Sequence, residues 1–307
     1  MSRCVVGVDV GGTNIKFGIV SSSGKVISRS SLSTKSFIHS KKGLIEAVSK
    51  SVLVLMEQCG IKKKDVTGVG VGFPGLIDAK KGVVQFLPNI PGWRNIPARK
   101  IFQDRLRLPI FIDNDVKLIT LAEWRYGAGR EFKNIICITL GTGVGGGLVI
   151  DNKLYRGEGF VAGELGHLPL NENGPHCNCG SFACLESYVG NKRLVKRASE
   201  IIKNKNVTLE EMFRLANQRN AQAMRFWTEV ATHIGNGLVG VVNLLNPRRI
   251  IIGGGVANNW KYLAPTIRSI IKTRAMSTQA RMVEIVRAQL GDDAGIIGAK
   301  VLVQDEI

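Results

Sequence analysis

The chain has 307 residues, long enough for two domains with substantial cores, and 42 Lys+Arg against 24 Asp+Glu give it a formal net charge of +18. Hydrophobic residues make up 44% of it, yet no apolar run is long enough for a bilayer-spanning helix. Three of the six cysteines, Cys177, Cys179 and Cys184, fall together, and Cys4, Cys59 and Cys137 sit in apolar segments; this excludes the disulfide framework of a small secreted domain.

The opening residues have no basic, apolar and small-residue succession of a signal peptide, so a cytoplasmic protein is expected. The basic residues are scattered, and the tightest run is Lys62-Lys63-Lys64. No basic arm with interleaved aromatics is visible. The charge therefore reads as a solvated surface that helps attract an anionic nucleotide, and specific nucleic-acid binding is not expected.

In chain order, residues 4–9 and 15–20 are Val-rich, β-branched strands joined by Val10-Gly11-Gly12-Thr13-Asn14, and a third strand runs from Lys25 to Ser31. Leu44, Ile45, Val48, Val52, Leu55 and Met56 recur at helical spacing, which predicts a helix over 43–58 closed near Gly60. A strand from Val66 to Phe73 runs into Pro74-Gly75, and Pro88-Asn89-Ile90-Pro91-Gly92-Trp93 reads as loop. Ile110 to Ile112 is a short buried strand with Asp113-Asn114-Asp115 at its carboxyl end, followed by a helix over 116–126. Strands over 135–140 and 148–150 flank a second glycine turn, so the opening hairpin is echoed half a chain later. Helices are predicted over 192–203, 209–217, 221–245, 260–273 and 293–303, with a buried strand at 250–252 running into Gly253-Gly254-Gly255. Alternating strands and helices argue for an α/β protein.

The glycine turns are candidate phosphate sites. At Asp9-Val10-Gly11-Gly12-Thr13, glycines let an anion approach backbone N–H groups, Thr13 adds a hydroxyl, and Asp9 could hold Mg²⁺ through water. A plain hairpin turn would carry the same residues. Gly141-Thr142-Gly143-Val144-Gly145-Gly146-Gly147 contains a GxGxxG match, but a strand follows it instead of the helix that a dinucleotide site needs. Two such hairpin turns could clasp a triphosphate, and the run including Gly254 and Gly255 could lie flat against adenine or ribose.

Asp115, beside Asn114 at a strand end, is the candidate general base for moving a phosphoryl group to a hydroxyl. Asp113 is its rival, and Asp-Asn-Asp would also serve as a helix cap.

From Gly163 to Glu186 the chain brings His167 and three cysteines into a short stretch flanked by Glu164 and Glu186. One imidazole and three thiolates, Cys177, Cys179 and Cys184, make a closed four-coordinate shell suited to structural zinc. His176 competes for the fourth place, but its adjacency to Cys177 makes joint tetrahedral ligation awkward. A metal there would fix both carboxylates, as gripping a polyhydroxylated ligand requires.

Together, Asp9-Val10-Gly11-Gly12-Thr13, Gly72-Phe73-Pro74-Gly75, Pro88-Asn89 with Gly92-Trp93, Asn114-Asp115, the run Gly141 to Gly147, Gly163-Glu164-Leu165-Gly166-His167 and Cys177-Asn178-Cys179-Gly180 through Cys184-Leu185-Glu186 resemble the ROK family of repressors and sugar kinases over nearly the whole chain. The resemblance implies the actin/hexokinase-like ATPase fold (ribonuclease H-like), with two domains and a central cleft. The expected division is a small domain over 1–115, completed by a helix over 293–307, and a large domain over 116–292. The resemblance further implies an ATP-dependent kinase for the 6-hydroxyl of a hexose, glucose first, with allose, N-acetylmannosamine, N-acetylglucosamine and fructose as alternatives. Asp115 would take the proton. Gly75, Asn89, Asn114, Glu164, His167 and Glu186 would contact the sugar. Asp9, Gly11, Gly12, Thr13, Lys16, Gly141, Thr142, Gly143, Gly254 and Gly255 would hold ATP with Mg²⁺, and His167 would serve zinc and sugar through its two ring nitrogens. A homodimer is usual in such families. Many relatives are repressors with an N-terminal helix-turn-helix domain, for which the start at Asp9 leaves no room; a kinase is expected over a sugar sensor. One departure is Ala183, where the family usually has glycine before the third cysteine.

Overall fold

The computed structural model describes residues 3–37, 40–87 and 92–307. Its elements in chain order are β1 (Cys4–Val10), β2 (Asn14–Val20), β3 (Val26–Ser33), α1 (Lys41–Gln58), β4 (Val66–Phe73), β5 (Leu76–Asp78), β6 (Val83–Phe86), β7 (Arg94–Ile96), α2 (Ala98–Leu106), β8 (Ile110–Asn114) and α3 (Asp115–Tyr126). Then come β9 (Ile135–Leu140), β10 (Val144–Ile150), β11 (Lys153–Tyr155), α4 (Glu186–Val189), α5 (Asn191–Ile202), α6 (Leu209–Asn217), α7 (Ala221–Leu245), β12 (Arg249–Gly253), α8 (Trp260–Arg274), α9 (Ser277–Met282), β13 (Glu284–Arg287) and α10 (Ala294–Asp305). No described helix is long and apolar enough to cross a membrane.

The chain divides into two compact units. The first holds the residues up to Glu131, Leu154–Ala162 and Gln289–Ile307. Its main sheet has the order β3-β2-β1-β4-β8, antiparallel through β1–β3 and parallel from β1 to β8. Val6, Val8, Val69 and Val71 are buried, as the near-continuous apolar runs of inner parallel strands require. α10 lies on this sheet and against α3. It can do so because Gly70 faces the backbone of Ala299 and Gly298 faces that of Leu118, where any Cβ would collide. Buried Glu123 of α3 accepts N–H bonds from Ala128 (2.9 Å), Gln289 (2.9 Å) and Leu290 (2.8 Å), so one carboxylate ties the end of α3 to the entry of α10. A boundary at residue 115 would split α3 from this unit; its packing on α10 carries the unit on to Glu131.

The second unit comprises Phe132–Lys153 and Gly163–Ala288. Its sheet carries β10-β9-β12-β13 in that order, with β9/β10 antiparallel and β9/β12 and β12/β13 parallel. This repeats the order and sense of β2-β1-β4-β8, so the hairpin echo in the sequence reflects a repeated topology. The core centres on α7 and α8, with Phe226, Trp227, Ile234, Leu238, Leu263 and Ile267 buried. α7 ends where Asn246 takes the left-handed conformation (φ 43°) before Pro247, a stop written in the sequence.

The second glycine run differs from the sequence expectation. Val144 to Ile150 is strand throughout, paired with β9 from Val144↔Leu140 onward, and only Gly141-Thr142-Gly143 turns. Glycine normally weakens strands, but here the missing side chains admit another segment. The sheet β5-β6-β7, α2, α9 and β13 were not foreseen; they are short, and their apolar positions are too few to set a period.

Candidate functional site

In the first unit, the candidate residues gather at the carboxyl ends of β1, β4 and β8, the end where open α/β sheets place ligands. Asp9 pairs across the hairpin with Lys16, and Gly11-Gly12-Thr13 forms the turn, closed by Gly11 N–H to Asn14 O at 3.0 Å. Buried Thr34 anchors this turn: its hydroxyl donates to Gly11 O (2.8 Å) and its N–H to Thr13 O (2.9 Å). Thr34 was missed because a threonine after a strand carries no signal of what it holds. The Asp9 carboxyl rests against Gly295 at the start of α10. Burial pushes its pKa from 3.8 up to about 6; Lys16 opposes the shift and Asp292 adds to it. Lys16 Nζ is held 2.7 Å from Asp292 Oδ1.

The Asp-Asn-Asp segment separates into three roles. Asp113 is fully buried and bound to Arg156, with Nε to Oδ2 at 2.8 Å, while its Oδ1 accepts the Asn114 N–H. Asn114 caps α3, accepting from Val116 N–H (3.0 Å) and Lys117 N–H (3.1 Å). Its amide donates to Gly75 O at 3.1 Å, so Gly75 and Asn114 come together. Asp115 opens α3, half-buried, with Oδ1 2.8 Å from the Val116 nitrogen. Asp113 is thereby spent on structure. Asn89 lies outside the described residues.

In the second unit, Gly141-Thr142-Gly143 lies at the end of β9, closed by Gly141 N–H to Gly143 O at 2.9 Å. Gly254, with φ 84°, packs directly on the Leu140 backbone, so Gly254 and Gly255 join the same end of the sheet. Glu186 opens α4 and accepts the Val144 N–H through Oε2 at 2.8 Å; a Cβ on Gly143 would come within 2.5 Å of that oxygen. The Gly163–His167 segment rests on β10, because Gly163 faces the Gly146 carbonyl and Gly166 the Val144 carbonyl with no room for a side chain. Glycines on both partners thus seat Glu164, His167 and Glu186 around one end of β10.

His167, Cys177, Cys179 and Cys184 form a group whose ligand atoms all lie within 4.8 Å of one another. His167 Nδ1 is 3.6 Å from Cys177 Sγ, and Cys179 Sγ is 3.7 Å from Cys184 Sγ. A tetrahedron with metal–sulfur bonds of about 2.3 Å has edges of about 3.8 Å, so the donor set fits a tetrahedral metal ion. His176 is exposed, bridges to Phe182 and stands outside the group. The other ring nitrogen, Nε2, is 3.8 Å from Glu164 Oε2. Burial pushes the Cys177 thiol up and Cys184 up to about 12, while the Ser181 backbone N–H holds Cys179 below its usual value. Buried Ala183 sits at φ 55°, the left-handed region in which glycine is at ease.

Residues 5–306 match the ROK family. The chain belongs to the ROK family. This ROK protein is 30% identical to the glucokinase of Thermotoga maritima, over 99% of this chain and 98% of the relative. It is 28% identical to a putative xylose repressor from a Caldicellulosiruptor species, over 97% of this chain and 77% of the repressor. The solved ROK family glucokinase from Streptomyces griseus, in complex with glucose and AMPPNP, superposes with a TM-score of 0.84 at 32% identity, covering 98% of this chain and 99% of that one. With ROK hexokinase structures as neighbours and the doubled sheet topology, the fold is α/β of the actin/hexokinase-like ATPase type, as the motifs implied.

Proposed function

We propose that this ROK protein is an ATP-dependent sugar kinase that phosphorylates the 6-hydroxyl of a hexose, with glucose the first substrate to test. One observation carries the reading: Asp113 is buried against Arg156, while Asp115 stands half-buried at the carboxyl end of β8 beside the Asn114–Gly75 pair. In this reading Asp115 takes the proton of the hydroxyl as the γ-phosphoryl leaves ATP. Gly75, Asn89, Asn114, Glu164, His167 and Glu186 hold the sugar. The amides of Gly11, Gly12, Thr13, Gly141, Thr142 and Gly143, with Lys16, take the phosphates, and Gly254 and Gly255 the nucleoside. Mg²⁺ supplies charge neutralisation when bound; Asp9 suits it, because a cation would return a carboxyl raised to about 6 to its ionised form. His167, Cys177, Cys179 and Cys184 would hold zinc, with Nδ1 on the metal leaving Nε2 to face Glu164 and a sugar hydroxyl. Drawing on ATP, such a kinase works in the cytoplasm.

The likeness to glucokinases supports glucose, and a kinase for another hexose or an N-acetylhexosamine keeps the same residue roles. The 28% identity to a putative xylose repressor supports a second reading, a sugar sensor without phosphoryl transfer. A coupled ADP-release assay with Mg-ATP over hexoses and N-acetylhexosamines decides between them. Turnover on one of these sugars is expected; sugar binding without turnover on any of them would favour the sensor.

A further inference from the structure

We propose that a cavity of about 260 Å³ on the second unit, lined by none of the residues assigned above, binds a small phosphomonoester. Its wall is built by Arg193, Lys196, Arg197 and Glu200 of α5, Glu229 and His233 of α7, and Tyr188 of α4. Arg197 is neutralised, with Nε and Nη2 at 3.2 and 3.1 Å from the two Glu229 oxygens and Nη1 3.7 Å from Glu200 Oε2. Arg193 and Lys196 make no ion pair among the described residues. They stand three apart on one helix face, where like charges repel.

Their placement is also electrostatically unfavourable. The first turn of α5 carries Lys192 and Arg193 and no acidic residue, and its cap, Gly190, offers no side chain. Cations at the positive end of a helix cost stability, and an anion there restores it. The cavity adds to this helix face a half-open hollow in which three cations, Arg193, Lys196 and Arg197, face two carboxylates, Glu200 and Glu229, which leaves a net positive lining. Tyr188 and His233 stack at 4.5 Å between centroids, and burial holds the imidazole below its usual pKa, so it meets a ligand mainly as a neutral donor and acceptor. Glu229 and His233 also line an adjoining hollow of about 440 Å³ with Met224, Thr228 and Thr232, leaving room for the organic part of the ester.

The cavity also touches the machinery. Tyr188 shares the short α4 with Glu186, and Pro175, another wall residue, accepts the Ala183 N–H at 2.8 Å, next to Cys184. If the kinase reading above holds, on which this consequence alone rests, occupancy shifts the sugar KM more than kcat.

The binding test needs no turnover. Thermal unfolding is followed in phosphate-free buffer with inorganic phosphate, glucose 6-phosphate or AMP, for the wild type, the double variant Arg193→Ala/Lys196→Ala, and a surface control, Lys203→Ala/Lys205→Ala. At about one hundred times Kd the wild-type midpoint should rise by about 4 °C with at least one phosphomonoester. The double variant should lose the cavity's share of that rise, and all of it with inorganic phosphate if only the cavity binds it, while the control keeps it. Only the part of a rise that the double variant loses counts for the cavity: a lost rise as large with inorganic phosphate as with the esters means that the cations read only the phosphate, and a lost rise confined to glucose 6-phosphate or to AMP means that the organic part is read too; each supports the site. No rise with any probe, a rise undiminished in the double variant, or equal loss in the control overturns the proposal. Because sugar binding and turnover are measured separately, failure here leaves the kinase reading untouched.

Discussion

Asp9→Asn isolates a conflict between stability and chemistry. Asp9 is pressed against α10 at Gly295, and burial lifts its pKa from 3.8 to about 6. Between those two values the folded protein holds a proton that the unfolded chain has released, so stability falls as pH rises through that window. At 1.36 kcal/mol per pH unit, the interval corresponds to about 3 kcal/mol, and the partial opening of Asp9 to solvent screens this to about 2 kcal/mol. Asparagine keeps the shape and never ionises. The metal-free variant should therefore match the wild type near pH 4 and exceed it by about 2 kcal/mol at pH 7.5, a rise of about 3 °C in melting midpoint. Turnover should fall on the order of 100-fold or more, because the metal-directing carboxylate is gone. Calorimetry or dye-monitored unfolding from pH 4 to 8 in chelator provides the readout. A variant less stable at pH 7.5, or a difference that does not change with pH, would refute the argument.

Cys184→Ser should empty the tetrahedral group: metal analysis after dialysis would find the wild type loaded and the variant bare. Sugar KM should rise about 10- to 100-fold through the loosened His167 and Glu186, and retained metal would contradict the assignment. Ala183→Val forces a β-branched side chain into a buried position at φ 55° and should cost about 3 kcal/mol, seen as a fall of about 5 °C in midpoint; an unchanged midpoint would show that the loop relaxes freely.

The residues that were legible in the sequence share a cause. Glycine turns, a cysteine cluster and a strand-end Asp-Asn-Asp are local patterns, and local geometry decides them: Gly143 must be glycine because Glu186 lies against it, and Asn114 must cap because α3 starts there. What the sequence did not show depends on partners distant in the chain. Arg156 selects Asp113 for structure across 43 residues, Thr34 bolts a turn 23 residues away, and Gly146 meets Gly163 only once β10 is a full strand. The expectation that the turn extends through Val144 to Gly147 fails for that reason: Gly145, Gly146 and Gly147 lie within the strand, and at Gly146 the missing side chain makes room for a neighbour instead of bending the chain. At φ 55° Ala183 holds the left-handed conformation in which glycine, the residue that the resemblance leads one to expect there, is at ease.

The most direct test of the account is the kinetics of Asp115→Asn with Mg-ATP and whichever hexose the wild type turns over, with sugar affinity measured separately by calorimetry. Asp115 is assigned as the base, so kcat should fall about 10²- to 10⁴-fold while sugar Kd stays within about tenfold. A variant with near wild-type kcat would contradict the assignment and move the base elsewhere.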